Sequence, residues 1–297
     1  MTTRLSVGLF SPSVVLAMAD LAGAGLEVDE VPATSSAVQL DDLLEGRLDA
    51  ALTSPDNVLA YRHAAANPAH RAHDVRIVAA VDRGLGLSLF AAPGAGGAAH
   101  GILAVDVPTS GFAYAAYELA ARRGLTAGAD YEVRALGTTP QRATALAAGR
   151  CTMTVLGAGS DLRAEAAGCL RLSRATSLGP YLGTVLATRG DRVETGRAPL
   201  AALVRAVTAA CAELAAGGRS DEARAVAARL FGLGPAEARR YAATLADPDE
   251  GLVPDGRVDP ESLRTIAALR ARYGPRGWTE ADALGDPGLV DTRLLPG

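Results

Sequence analysis

The sequence predicts an α/β protein of two lobes, each a mostly parallel sheet covered by helices. Three observations carry that expectation. The first third alternates strand and helix patterns in βαβαβ order, which pairs strands in parallel and lays helices on the sheet faces. A Gly- and Ala-rich stretch then gives way to a second series of the same kind. At 297 residues the chain is too long for one small core and fits two of ordinary size.

In order, Leu5 to Phe10 alternates like a strand, Ser11-Pro12-Ser13 breaks it, and Val14 to Gly23 reads as a helix. Leu26 to Val31 is the second strand. Ser35 or Ser36 starts a helix with Leu40, Leu43 and Leu44 on one face. Asp49 to Thr53 is a short buried strand, and Ser54-Pro55-Asp56-Asn57 opens a helix with Pro55 at its first position. Val75 to Val81 is the fourth strand, and Gly84 to Ala92 is an extended segment leaving that sheet. Residues 93–99 are small and read as a crossing or a surface loop.

The second series runs through a strand at Ile102 to Val107, a turn at Pro108 to Gly111, and a helix from Phe112 to Arg123 stopped by Gly124. Asp130 to Leu136 is a strand, Gln141 to Ala148 a helix, and Cys151 to Leu156 a strand before Gly157-Ala158-Gly159-Ser160-Asp161 and another helix. Leu182 to Ala187 returns as a strand. The final third is helical: Leu200 to Ala216 with Leu203, Val207, Cys211 and Leu214 at helical spacing, then Ser220 to Phe231, Pro235 to Leu245, and a helix capped by Asp259 and closed by Gly274.

Composition narrows the function. Hydrophobic residues make up 49% and charged residues 21% of the chain, a globular balance. With only 4% aromatics, the core must be built from Ala, Leu and Val. There is no lysine; every basic residue is arginine. That excludes a Schiff base with pyridoxal phosphate and a phosphate loop ending in Gly-Lys-Ser/Thr. A net charge of −4 speaks against a nucleic-acid partner, which needs a basic footprint. Cys151, Cys169 and Cys211 form no CxxC pair and read as buried thiols. Three of the four histidines, His63, His70 and His73, cluster, but Asn67-Pro68 breaks the helix between them, so no metal is expected. No run of about 18 apolar residues predicts a membrane span, and neither a nucleophile elbow nor a dinucleotide fingerprint is present. No cofactor is expected.

In open α/β sheets, ligands sit beyond the carboxyl ends of strands, where helix N-termini offer free N–H groups. Hydroxyl-bearing loops recur at that place in both series: Ser11, Ser35 and Ser36, Ser54 with Asp56 and Asn57, Thr109-Ser110-Gly111-Phe112, Thr138, and Gly157 with Asp161. Each of these residue types is also an ordinary helix cap. Arg142, in a first helical turn, is placed to clamp a carboxylate or to form an ion pair. Arg83 and Asp82 lie where the chain leaves the first sheet, to pair with each other or meet a ligand. Converging loops of this kind suit an organic anion or a polar heterocycle.

The run Glu45-Gly46-Arg47-Leu48-Asp49-Ala50-Ala51-Leu52-Thr53-Ser54-Pro55-Asp56-Asn57 resembles a segment of the type 2 periplasmic binding proteins, in the branch of alkanesulfonate, taurine, nitrate and thiamine-pyrimidine binders. Val105 to Ala113, Leu136 to Gly149 and Pro180 to Val185 are similar to later motifs of that family, so the resemblance spans nearly the whole chain. It implies a venus-flytrap fold with mixed, mostly parallel sheets. Residues 1–90 plus 187–297 would form one lobe and 91–186 the other, with a ligand cleft between them. It implies a solute-binding protein of an ABC importer, with a small organic ligand and, if exported, a permease as partners. Exported members carry a signal or lipid anchor, whereas this chain enters a strand pattern at once. A cytoplasmic location is therefore expected if the chain is complete, a periplasmic or extracellular one if a signal was removed. The same fold also serves cytoplasmic lyases and decarboxylases. For such an enzyme the acid/base residues would come from Asp56, Asp161, Asp82 or Cys151.

Overall fold

The computed structural model describes residues 2–63, 67, 71–95 and 100–296. Two five-stranded sheets organise them. The first is built from β1 (Thr3–Leu9), β2 (Leu26–Pro32), β3 (Ala50–Thr53), β4 (Val75–Asp82) and, after a long excursion, β10 (Thr184–Arg189), in the order β2-β1-β3-β10-β4. The second holds β5 (Ser88–Ala91), β6 (Gly101–Val105), β7 (Tyr131–Ala135), β8 (Met153–Leu156) and β9 (Leu170–Arg174), in the order β7-β6-β8-β5-β9.

Both sheets are mixed in the same way. Four strands point one way and one runs against its neighbours: β10 between β3 and β4, and β5 between β8 and β9. Each reversed strand is the one the chain forms on arriving from the other sheet. The crossings therefore run over residues 83–87 and 175–183, not through the Gly-rich stretch at 93–99. That stretch joins β5 to β6 within one sheet, and its residues 96–99 lie outside the described residues. Sheet membership also moves the expected boundaries. Ser88 to Phe90, read into the first lobe, pair with Leu156, Val155 and Thr154 of β8. Thr184 to Leu186, read into the second, pair with Asp82, Ala80 and Ala79 of β4.

Helix starts follow local chemistry. Ser13 caps α1 (Val14–Met18), Ser35 caps α2 (Ser36–Leu44) and Ser54 caps α3 (Pro55–Arg62), each side chain accepting a first-turn N–H. Ser110 does the same for α4 (Gly111–Ala121), and Thr138 with Gln141 forms a capping box on α5 (Thr139–Ala147). Helix α1 stops well short of Gly23 because Asp20 turns its carboxylate onto the Gly23 N–H and offers the backbone another partner.

Three buried clusters fill the molecule. One lies on the face of the first sheet covered by α1, α8 (Arg197–Ala215), α9 (Ser220–Phe231) and α10 (Pro235–Leu245). Among the described residues α8 alone is long and apolar enough to cross a membrane, yet half of it is buried, with Leu203, Val207 and Cys211 in this core. A second cluster runs from the other face of that sheet through α3, α4 and α11 (Pro260–Tyr273) onto the second sheet. The third fills the opposite face of the second sheet, under α5 and α6 (Ser160–Ala166). Strand alternation sorts neighbours between them, with Leu89 in one cluster and Phe90 in another.

The three cysteines are buried and free. Among the described residues no His/Cys/Asp/Glu group is placed to hold a metal. His70 lies outside those residues; His63 packs edge-on against Trp278 and His73 against Tyr61.

Candidate functional site

The carboxyl ends of β1, β3 and β4 face that of β8 across a cavity of about 120 Å³. The first sheet supplies Ser11 and Ser13 after β1, Ser54 after β3, and Asp82 at the end of β4. The second supplies Phe112 from α4, Thr139 and Arg142 from α5, and Gly157 after β8. Valine and leucine, among them Val14, Val15, Leu85 and Leu87, supply half of the remaining lining residues. A smaller space of about 30 Å³ continues between the sheets, sharing Ser54, Phe112 and Arg142 and adding Ser36, Asn57, Ser110, Gly111 and Thr138.

Ten of the expected site residues thus line these two spaces, and five do not. Ser35 is spent on capping α2. Thr109 is exposed beside the turn. Arg83 donates to the Leu252 carbonyl and lines a groove on another face of the crossing. Asp56 takes a bidentate pair from Arg270 on α11, at 2.6 and 2.7 Å, with both side chains buried. Asp161 accepts from Arg171 at 3.1 Å; burial outweighs that partner and pushes its carboxyl up to about 6. These two carboxylates sit in ion pairs because packing brings their first turns beside arginines of other elements, Arg270 on α11 and Arg171 on β9, a partnership that local pattern does not reveal.

Arg142 is 2% exposed, and its guanidinium is held by neutral acceptors. Nε donates to Thr154 Oγ1 at 3.1 Å and Nη1 to the Gly137 carbonyl at 2.7 Å. Nη2 donates to Thr139 Oγ1 at 3.2 Å and to the Val155 carbonyl at 3.4 Å. These bonds use four of the five guanidinium donors. Among the described residues no carboxylate lies within ion-pair distance, and burial lowers the pKa.

Asp82 and Tyr241 also face the cavity. Sequence reading placed Asp82 at the crossing, to pair with Arg83 or meet a ligand, whereas Tyr241 carried no signal, since α10 reads as an ordinary amphipathic helix. Asp82 Oδ1 accepts from the Gly84 N–H at 2.8 Å, and Thr184 donates from both backbone and side chain. The carboxyl is fully buried, which pushes its pKa up. The two crossings touch here: Gly183 N–H donates to the Asp82 carbonyl at 2.9 Å, and a Cβ at Gly183 would lie 2.2 Å from Asp82 Oδ1 and 2.4 Å from Gly84 N. Cys151 is buried in the α5–α6 cluster and does not line the cavity; burial raises its thiol to about 11.

Two like-built sheets, two adjoining crossings and a cavity between strand ends make up a known plan. The fold is that of the periplasmic binding proteins. The periplasmic nitrate-binding protein of Synechocystis superposes with a TM-score of 0.78 at 13% identity, covering 99% of this chain and 87% of that one. The alkanesulfonate-binding protein of Xanthomonas axonopodis, bound to MOPS, gives 0.72 at 16% identity over 98% and 99% of the two chains. A zinc-bound ligand-binding component of an ABC-type import system from Staphylococcus aureus gives 0.73 at 15% identity over 99% and 98%. These similar structures are binding proteins rather than enzymes. No protein-family model matches the sequence, and neither does any curated protein.

Proposed function

We propose that this chain is a solute-binding protein that takes a small organic anion into the cavity between its sheets, with Arg142 as the anchor. The observation that carries this reading is a buried guanidinium, aimed at the cavity, with no carboxylate partner among the described residues. Burying a charge without compensation is costly, so an anionic ligand that supplies the missing charge gains what the protein has left unmet. The apolar walls add an organic body to that requirement. The sulfonate- and nitrate-binding neighbours support an anion.

In this reading the two sheets are the cores of two lobes that meet at residues 83–87 and 175–183 and close on the ligand as rigid bodies. Coupling to an importer would add a permease as partner and place the chain outside the cytoplasmic membrane. Three of the four groups named for an enzyme support binding without turnover, since Asp56 and Asp161 are held in ion pairs and Cys151 is away from the cavity; the fourth, Asp82, lines it, and recovery of unchanged ligand tests it.

The test is a thermal-shift and calorimetric screen of the full chain against alkanesulfonates, carboxylates and aromatic acids, with mass spectrometry of every hit. Binding that raises the melting temperature, returns the ligand unchanged and is lost in Arg142→Gln supports the proposal. Binding that survives Arg142→Gln undamaged, or a ligand consumed at catalytic ratios, overturns it.

A further inference from the structure

The cavity holds a second buried charge-bearing group that the anion reading leaves unused. Asp82 ends β4 on the side of the first sheet, whereas Arg142 stands on α5 over the second. Asp82 is 4% exposed, and among the described residues it makes no ion pair. Its neighbours Gly84 and Thr184 give it three hydrogen bonds, all from neutral donors. A carboxylate accepts in roughly four directions, so about one is left over. Arg142 has a similar arrangement: neutral hydrogen-bond partners, one donor left over, and, among the described residues, no carboxylate within ion-pair distance, Asp106 acting on it only from farther off in the adjoining space. Between them the wall is largely apolar, with Val14, Val15, Leu85, Leu87 and Val155.

We propose that the ligand is an organic zwitterion, with its anionic end on Arg142 and an ammonium or amidinium end on Asp82. This rests on the anion-binding reading above and names its ligand class. The physical reason is charge balance in a dry space. A simple anion neutralises Arg142 and leaves the carboxyl of Asp82 facing the ligand body. A dianion adds repulsion at that end. A net-neutral ligand with opposite charges at its two ends compensates both groups and brings no net charge into the cavity. Because the two groups belong to different sheets, a ligand that engages both also spans the cleft, so Asp82 is a specificity-determining residue.

The experiment is isothermal titration calorimetry of the full chain with matched pairs: propanoate, butanoate and pentanoate against their ω-amino counterparts, and propane-sulfonate against its ω-amino counterpart. The expected result is that, at one or more chain lengths, the amino member binds about tenfold or more tighter than its twin. Asp82→Asn should then bring the pair to within about threefold, with the amino member losing affinity. The preference of the unmutated protein stands as evidence even if Asp82→Asn fails to fold, which its melting curve reports. Equal affinity within every pair, tighter binding of the amino-free member, or a preference that survives in folded Asp82→Asn overturns the zwitterion. Failure of every probe to bind the unmutated protein overturns the anion reading along with it.

Discussion

Arg142 shows how one side chain can be structurally satisfied and still functionally incomplete. Its hydrogen bonds to Thr154, Gly137, Thr139 and Val155 fix the guanidinium plane, while among the described residues no carboxylate comes within ion-pair distance of the charge. The bonds make the group rigid and therefore a low-entropy anchor; the missing charge makes it a binding group. Arg142→Lys keeps the charge and loses the planar fork. Its affinity for whichever anion the screen identifies should fall by about tenfold or more, measured by calorimetry. Arg142→Gln should lose about a hundredfold, because a hydrogen-bonded charge pair is broken in a buried place. Cys151 makes the opposite case. Its raised thiol and its place in a core cluster predict that iodoacetamide leaves the native protein unalkylated at neutral pH, checked by intact mass.

Among elements, the contact of α3 with α4 is tightest where no side chain stands. A Cβ on Gly111 would lie 2.4 Å from the Cβ of Asp56, which is itself held by Arg270 of α11. Gly111→Ala should push α4 off α3, weaken ligand affinity by about tenfold and enlarge the radius of gyration in X-ray scattering. The docking of the C-terminal segment onto β4 has an acid-sensitive latch. Asp291 N–H donates to the Ile77 carbonyl, and its carboxylate takes Arg293 and Arg76. Hydrogen bonds from Arg293, joined by those from Arg76, hold the carboxyl well below the usual range. A depressed folded pKa contributes stability that is present above the unfolded pKa and lost as pH falls through the folded one. Asp291→Asn should therefore cost about 2 kcal/mol at neutral pH, with the gap to the parent closing in strong acid, as urea titrations at several pH values would show.

Across the whole molecule, ion pairs cross from one sheet's territory to the other. Arg240 on α10 meets Glu165 on α6 at 2.6 Å, Arg174 on β9 meets Glu250, and Arg272 and Tyr273 of α11 reach Glu118 of α4 at 3.1 and 2.8 Å. Both Arg240 and Arg174 are about half exposed, so each pair adds little by itself. In the proposed closure they would act together across the cleft. The double substitution Arg240→Gln with Glu250→Gln should weaken ligand affinity about threefold at low salt and reduce the effect of added salt on affinity. An unchanged salt dependence, read from dissociation constants across a salt series, would show that closure does not use these pairs.

What the sequence determined by itself was local. Strand alternation, serine and threonine caps, and prolines at first turns depend on residues a few positions apart, so the βα order and most hydroxyl-bearing loops could be read directly. Ser54, Ser110 and Thr138 line the two spaces because a residue that caps a helix beyond a strand is already near the strand's carboxyl end, and Ser11 follows β1 directly. Strand β9 escaped because its residues, Leu170 to Arg174, are exposed or half-exposed and take their identity from pairing with β5, which is separated from it by three strands and three helices of the chain. Only the tertiary structure decided which charged side chains were spoken for. Asp56 is claimed by Arg270 from over two hundred residues away, and Asp161 by Arg171 on a neighbouring strand. Asp82 and Arg142 are left facing a common cavity, with Tyr241 beside them from a helix that carries no signal of its own. Partnership between charges depends on distance in space, and that distance is set by packing between elements remote in the chain.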